Sequence, residues 1–170
     1  MKKMVRLLAL LFLFQFKHLL ADYFLQNEYM LGKFKKEGWV MPLAAHAGVH
    51  AFMTFTICAT FLLPLFLMGD LFLTLATVFL CAVLSGFDFV VHFIMDRIKA
   101  SPSLLGRYKP VTKEQYIECK DILNSDAGLA ESTISSARDK LDSNRKFWWS
   151  IGFDQMVHHL THYIIIMFLI

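Results

Sequence analysis

The sequence predicts an all-α polytopic membrane protein: about four transmembrane helices in an up-down bundle, with a small helical cytoplasmic segment. Three observations carry this. Hydrophobic residues make up 56% of the chain and charged residues only 18%, too apolar for a soluble domain. Four segments are long enough to cross a bilayer, which takes roughly 20 helical residues. All seven histidines lie inside those four segments, spaced as on helix faces. The chain reads as one membrane domain over 1–170.

The first span covers about 4–26. Its start, MKKMVRLLALLFLFQF, has the basic flank and apolar core of a signal peptide. LLADY offers no small residue three before Ala21 for cleavage, and the apolar run continues through His18 to Leu25. A retained helix is therefore expected. The second span covers about 42–68, with Pro42 suited to a first helical turn. The third covers about 70–96. A tight turn at Met68-Gly69-Asp70 makes these two antiparallel neighbours. The fourth covers about 147–170.

Two polar connections remain. Residues 27–41 carry Lys33, Lys35 and Lys36. The second, 97–146, is strongly charged and reads as a solvated helical insertion. Thr112 and Gln115 have capping-box spacing before one short helix, and Leu129 to Leu141 reads as another. Cys58, Cys81 and Cys119 form no paired spacing and are expected as free thiols. Trp39, Trp148 and Trp149 fall at span ends, where an aromatic belt explains them.

The two connections hold thirteen of the seventeen basic residues. The positive-inside rule then places both in the cytoplasm and both termini outside.

The polar residues inside the spans repeat in steps of four. The first span has His18, Asp22 and Gln26; the second, His46 and His50; the third, Asp88, His92 and Asp96; the fourth, Asp154, His158 and His162. Gln155 and His159 lie on an adjacent stripe. Residues four apart share a helix face, so each helix carries a polar stripe that must face the bundle interior. The stripes fall in the C-terminal halves of the first and third spans and the N-terminal halves of the second and fourth. In an up-down bundle those halves meet on one side of the membrane.

Such a cluster needs compensation. An aspartate at a helix centre costs about 2.5–3.5 kcal/mol on insertion scales. Lys17, protonated histidines or a metal ion can neutralise the four aspartates. Imidazole with carboxylate is the usual ligand set of zinc, iron or manganese, and an i, i+4 histidine pair can grip one ion. The expected metal ligands are His18, Asp22, His46, His50, His92, Asp96, His158 and His162. Asp88 and Asp154 are the expected catalytic carboxylates, one acting as general base. A divalent metal is the expected cofactor, zinc ahead of iron or manganese, as one or two ions. Asp88 and Asp96 are about 12 Å apart along the axis and would not normally share one ion, so either two ions bind, the preferred reading, or several of these residues orient the ligating imidazoles from outside the shell. Lys17 is open to pairing with Asp22, pairing with a neighbouring helix, or assisting chemistry. Asp96 at the membrane edge is open to simple capping with Arg97. Ala44, Ala45, Ala47, Gly48 and Ala51 allow close helix approach.

The stretches FKHLLADYFLQNEYMLGKF, PLAAHAGVHA, HFIMDRIKAS and FWWSIGFDQMVHHLTH resemble a family of small bacterial and phage integral membrane proteins of unknown function. The resemblance covers almost the whole chain. It implies a multi-pass protein of the bacterial inner membrane and brings no activity. More loosely, the histidine–aspartate pattern is similar to inner-membrane metal-dependent hydrolases.

The leading expectation is a metal-dependent hydrolase acting on a lipid or membrane-linked substrate near the cytoplasmic face. The alternatives are a divalent metal or proton transporter or sensor, and a di-iron oxidative membrane enzyme, since HHLTH resembles a histidine box. Membrane lipid is the expected partner. Nucleic acid is not, because the basic residues are mixed with acids. The sequence leaves room for a homo-oligomer and for a protein partner at the cytoplasmic segment.

Overall fold

The computed structural model describes residues 2–125 and 128–170. Met1 lies outside the described residues, as do Asp126 and Ala127 of the polar insertion. Every regular element among the described residues is helical.

Helix α1 (Lys2–Leu19) runs directly into a π-helical turn, Leu20–Phe24, closed by the Leu25 N–H donating to the Leu20 carbonyl at 2.9 Å. A short 3₁₀ segment follows, Met30–Phe34, entered through an Asn27 side chain that accepts from the Met30 N–H at 3.1 Å. Helix α2 spans Val40–Phe61, with Pro42 in its first turn. The sequence suggested one span through Met68, but Pro64 has no N–H and its ring clashes with the preceding turn. The helix stops at Phe61, and α3 (Leu63–Phe66) is a separate turn. Gly69 adopts φ 74°, where a β-carbon is disfavoured. Asp70 then caps α4 (Leu71–Ala100) by accepting from the Leu73 N–H at 2.7 Å.

A 3₁₀ turn, Leu105–Arg107, leads to α5 (Lys113–Asn124). Its capping box is present: the Thr112 hydroxyl accepts from the Gln115 N–H at 3.2 Å, and the Gln115 side chain accepts from the Thr112 N–H at 3.0 Å. The last element corrects the expectation of two helices over 129–141 and 147–170. Helix α6 is continuous over Glu131–Leu169. No proline occurs in it and its first glycine is Gly152, so nothing interrupts the backbone ladder. Asp142 adds ion pairs to Arg145 and Lys146 across the join.

Helices α2 and α4 make the most extensive contact, α6 packs against α4 and α1, and α5 lies on the N-terminal part of α6. Among the described residues three stretches are long and apolar enough to cross a membrane: Lys3–Phe24, Val40–Phe61 and Leu71–Arg107. The expected fourth, in α6, falls short because Asp154, Gln155, His158, His159 and His162 lower its mean hydropathy. Large apolar side chains face outward around the helices, among them Phe12, Phe52, Phe72, Phe79 and Phe168. An apolar perimeter of that kind suits lipid or another protein surface.

The interior has two levels. Towards the Gly69 turn, Leu10, Phe14, Cys58, Cys81, Leu84, Ile165, Ile166 and Leu169 form an apolar core. Towards the opposite end the buried residues are polar. Two glycines seat that polar end. A β-carbon on Gly32 would lie 2.8 Å from Pro42 Cγ, so only glycine lets the 3₁₀ segment approach α2. One on Gly106 would lie 2.6 Å from the Ala100 carbonyl oxygen and 2.8 Å from that of Ser101.

Gly106→Ala is expected to lower the stability of the detergent-solubilised protein by about 1–3 kcal/mol, because the obstacle is backbone. Gly152→Ala, with open space around its β-carbon, is expected to leave it unchanged or raise it slightly. Thermal unfolding of the pair against the parent checks both.

Candidate metal centre

The polar level is built from all four long helices and one connection. Lys17 and His18 come from α1, and Asp22 from the π-turn that extends it. Lys33 comes from the 3₁₀ segment. His46, His50 and Thr54 line α2. Asp88, His92, Asp96 and Lys99 line α4, and Asp154, His158 and His162 line α6. Except for partly exposed Asp22 and Lys99, these side chains are buried. The ten site residues read from the sequence thus come together in one cluster. His159 stays half-buried at its margin, 5.9 Å from His18 between ring centres.

The imidazoles are in mutual contact. Ring centres are 3.8 Å apart for His50–His92, 4.0 Å for His92–His158, 4.9 Å for His46–His50 and 5.2 Å for His18–His158. Around this group the carboxylates take lysine partners. Lys17 Nζ donates to Asp88 Oδ2 at 2.5 Å, and the Thr54 hydroxyl donates to the same oxygen at 2.7 Å. Lys33 Nζ donates to Asp96 Oδ2 at 2.9 Å. Lys99 Nζ bridges Asp154 Oδ2 at 2.7 Å and Asp96 Oδ1 at 3.2 Å. So Asp96 does not cap the helix with Arg97. That guanidinium instead lies 3.8 Å over the Trp39 ring and donates to the Lys33 and Lys35 carbonyls at 3.4 Å.

Asp22 is the exception. Among the described residues its only ion-pair partners within 4 Å are histidines. His46 Nε2 and His50 Nε2 lie 3.3 and 3.1 Å from Oδ1, and His18 Nε2 lies 3.1 Å from Oδ2. His46 Nε2 is also 3.0 Å from Asp96 Oδ2. Despite these distances, His18 Nε2 and His46 Nε2 lack the alignment of a hydrogen bond. A tetrahedral ion with Zn–N bonds of about 2.0–2.1 Å sets its donors about 3.3 Å apart. Close but misaligned donor atoms are what such a coordination shell looks like.

His92 supplies a second sign. Its Nδ1 lies 3.0 Å from the Asp88 carbonyl and 3.2 Å from Asp88 Oδ1. Both are acceptors, so Nδ1 carries the proton and Nε2 keeps its lone pair. Among the described residues that Nε2 is buried without a partner. A histidine oriented by a carboxylate or carbonyl on one nitrogen and free on the other is the usual form of a metal ligand. The donor atoms of Asp22, His46 and His50 lie within 4.8 Å of one another, and so do those of His18, His50 and His92. These buried histidine and aspartate groups can hold a metal ion.

A cavity of about 390 Å³ reaches the cluster from the side of the connections. Asp22, Lys33, Lys99 and Asp154 form part of its polar wall, and Tyr23, Phe34, Phe147 and Ile151 part of its apolar wall. Neither Asp88 nor any of the histidines lines it; Asp22 and Asp154 are the members of the cluster's carboxylate set that reach its wall.

No known protein family, curated protein or solved structure matches this chain. Its chemistry must therefore be argued from the cluster itself.

Three participants escaped the sequence reading. Thr54 continues the His46–His50 stripe by four residues, and Lys99 follows Asp96 by three, so spacing could have found both. Lys33 gave no signal, because it sits in a connection that folds back against α2. Lys17 resolves to Asp88 among the partners open to it.

Lys99→Ala is expected to cost roughly 3–5 kcal/mol, the usual penalty for stripping one partner from a buried ion pair, here exposing two carboxylates. Lys146→Ala, at the surface, is expected to cause no measurable loss. Denaturant or thermal unfolding in detergent compares the two.

Proposed function

We propose that the chain is an integral membrane metalloprotein that hydrolyses an ester or amide bond in a lipid or membrane-linked substrate. The observation that carries this reading is the convergence of His18, His46 and His50 on Asp22 beside the cavity. Asp22 and the three imidazoles would hold the ion. Nitrogen donors with one carboxylate suit zinc, with iron or manganese as the alternatives. Charge favours one ion. Lys17, Lys33 and Lys99 balance Asp88, Asp96 and Asp154, which leaves a single uncompensated carboxylate for a divalent cation.

The ion would supply Lewis acidity, polarising a carbonyl or phosphoryl oxygen and lowering the pKa of water towards about 7. The chain's own residues would do the rest. His158 Nε2 lies 3.2 Å from Asp154 Oδ1, which fixes that tautomer and leaves Nδ1 as a proton acceptor. Water oxygen would bond to the carbonyl carbon or phosphorus as the bond to the departing oxygen or nitrogen breaks, and His158, which stands behind Asp154 and off the cavity wall, would relay the proton to that departing atom. Asp154 thus acts as a positioning residue within reach of the cavity. Asp88, held by Lys17 and Thr54 away from the cavity, orients His92 in place of acting as a base. The apolar wall would take the lipid part of the substrate.

The apolar core between Leu10 and Leu169 weighs against transport, since it closes the bundle beyond Asp88 to a polar path. The marginal place of His159 weighs against HHLTH acting as an oxidative histidine box.

Elemental mass spectrometry on protein purified in mild detergent without chelator is the test. About one ion per chain is expected in the parent and in His159→Ala, and little in His46→Ala or His50→Ala. No ion above background, after zinc, iron and manganese are each offered, would end the metalloprotein reading. His158→Ala is expected to keep the ion and lose about 10²–10⁴ of the rate on an ester panel; a preserved rate would remove His158 from the mechanism.

A further inference from the structure

We propose that Lys17 is a built-in cation holding the place of a second ion at the Asp88–His92–His162 group, and that neutralising it opens a divalent-metal site there. The proposal rests on the metal-centre reading above.

The donor atoms of Asp88, His92 and His162 lie within 4.8 Å of one another and are buried, so the group has the size and chemistry of a coordination shell. An ammonium holds two of its three members. Lys17 Nζ is 2.5 Å from Asp88 Oδ2 and 3.3 Å from His162 Nε2. An ammonium has no lone pair to offer, so His162 Nε2 must present its own, as it would to a metal. Among the described residues His162 Nδ1 is then buried with no partner and nothing else fixes that tautomer. Thr54 completes the contacts of Asp88 Oδ2 at 2.7 Å.

Lys17 cannot easily vacate the position. Its side chain is 1% exposed and its Nζ lies 5.9 Å from the centre of the buried Phe14 ring. A divalent ion arriving beside it would meet a like charge in a medium that screens poorly. The same substitution of lysine for metal recurs at Asp96–Asp154–His158, where Lys99 bridges both carboxylates. Asp22 is the aspartate of the cluster without such a lysine, which is why the ion of the parent protein belongs there.

The test counts zinc per chain in detergent-solubilised parent, Lys17→Met, Lys17→Gln and Lys17→Arg. The expected result is one additional zinc in the Met and Gln variants and the parental number in the Arg variant. Chelator should also lower the Tm of the Met and Gln variants more than that of the parent. An unchanged count in folded Met or Gln variants, with zinc still bound by the parent, overturns this inference and leaves the metal centre standing. Failure of both neutral variants to fold even with zinc present, while Lys17→Arg folds, also overturns it, because a divalent ion then does not replace the ammonium. Absence of zinc from the parent removes the metal centre and this inference together.

Discussion

Four aspartates placed between apolar helices set the terms for the rest of this structure. A buried carboxylate left without partners is costly, so every one must meet positive charge or donors. Asp88 meets Lys17 and Thr54, Asp96 meets Lys33 and Lys99, and Asp154 meets Lys99. Those demands account for three features of the fold. They bury a lysine in α1, fold a polar connection back against α2, and carry α4 past Asp96 far enough for Lys99 to reach across to α6. Asp22 alone is left to imidazoles, and the proposed chemistry gathers around it.

The two-level interior follows from the same constraint. Apolar packing towards the Gly69 turn clamps the helices together, while the polar level needs fixed geometry without flexible filling. Histidines four apart on α2 and α6 meet that need because their backbone positions are set by regular helix. The departure from regularity falls at Asp22 itself, in a π-helical turn. Such turns often mark functional sites, where one extra residue re-aims a side chain.

Much of the cluster was legible in the sequence. Steps of four marked one face on each long helix, and the alternating depth of the stripes showed that the faces meet at one end. What stayed hidden depends on contacts distant in sequence. The burial of Lys33 requires Gly32 to lie on Pro42, and no local pattern reports that. The pairing of Lys17 with Asp88 depends on helix rotation, which periodicity leaves open. The continuity of α6 could have been read from its lack of proline or early glycine; polar composition at its middle hid it. Pro64 likewise announced the end of α2, though hydropathy runs straight through it.

The central claim, that imidazoles and one carboxylate hold an ion at Asp22, is tested most directly by X-ray absorption at the edge of the bound metal. The account predicts a shell of nitrogen and oxygen at about 2.0–2.1 Å, with outer-shell imidazole scattering that weakens in His46→Ala. A sulfur shell at about 2.3 Å, or an all-oxygen shell without imidazole scattering, would contradict it.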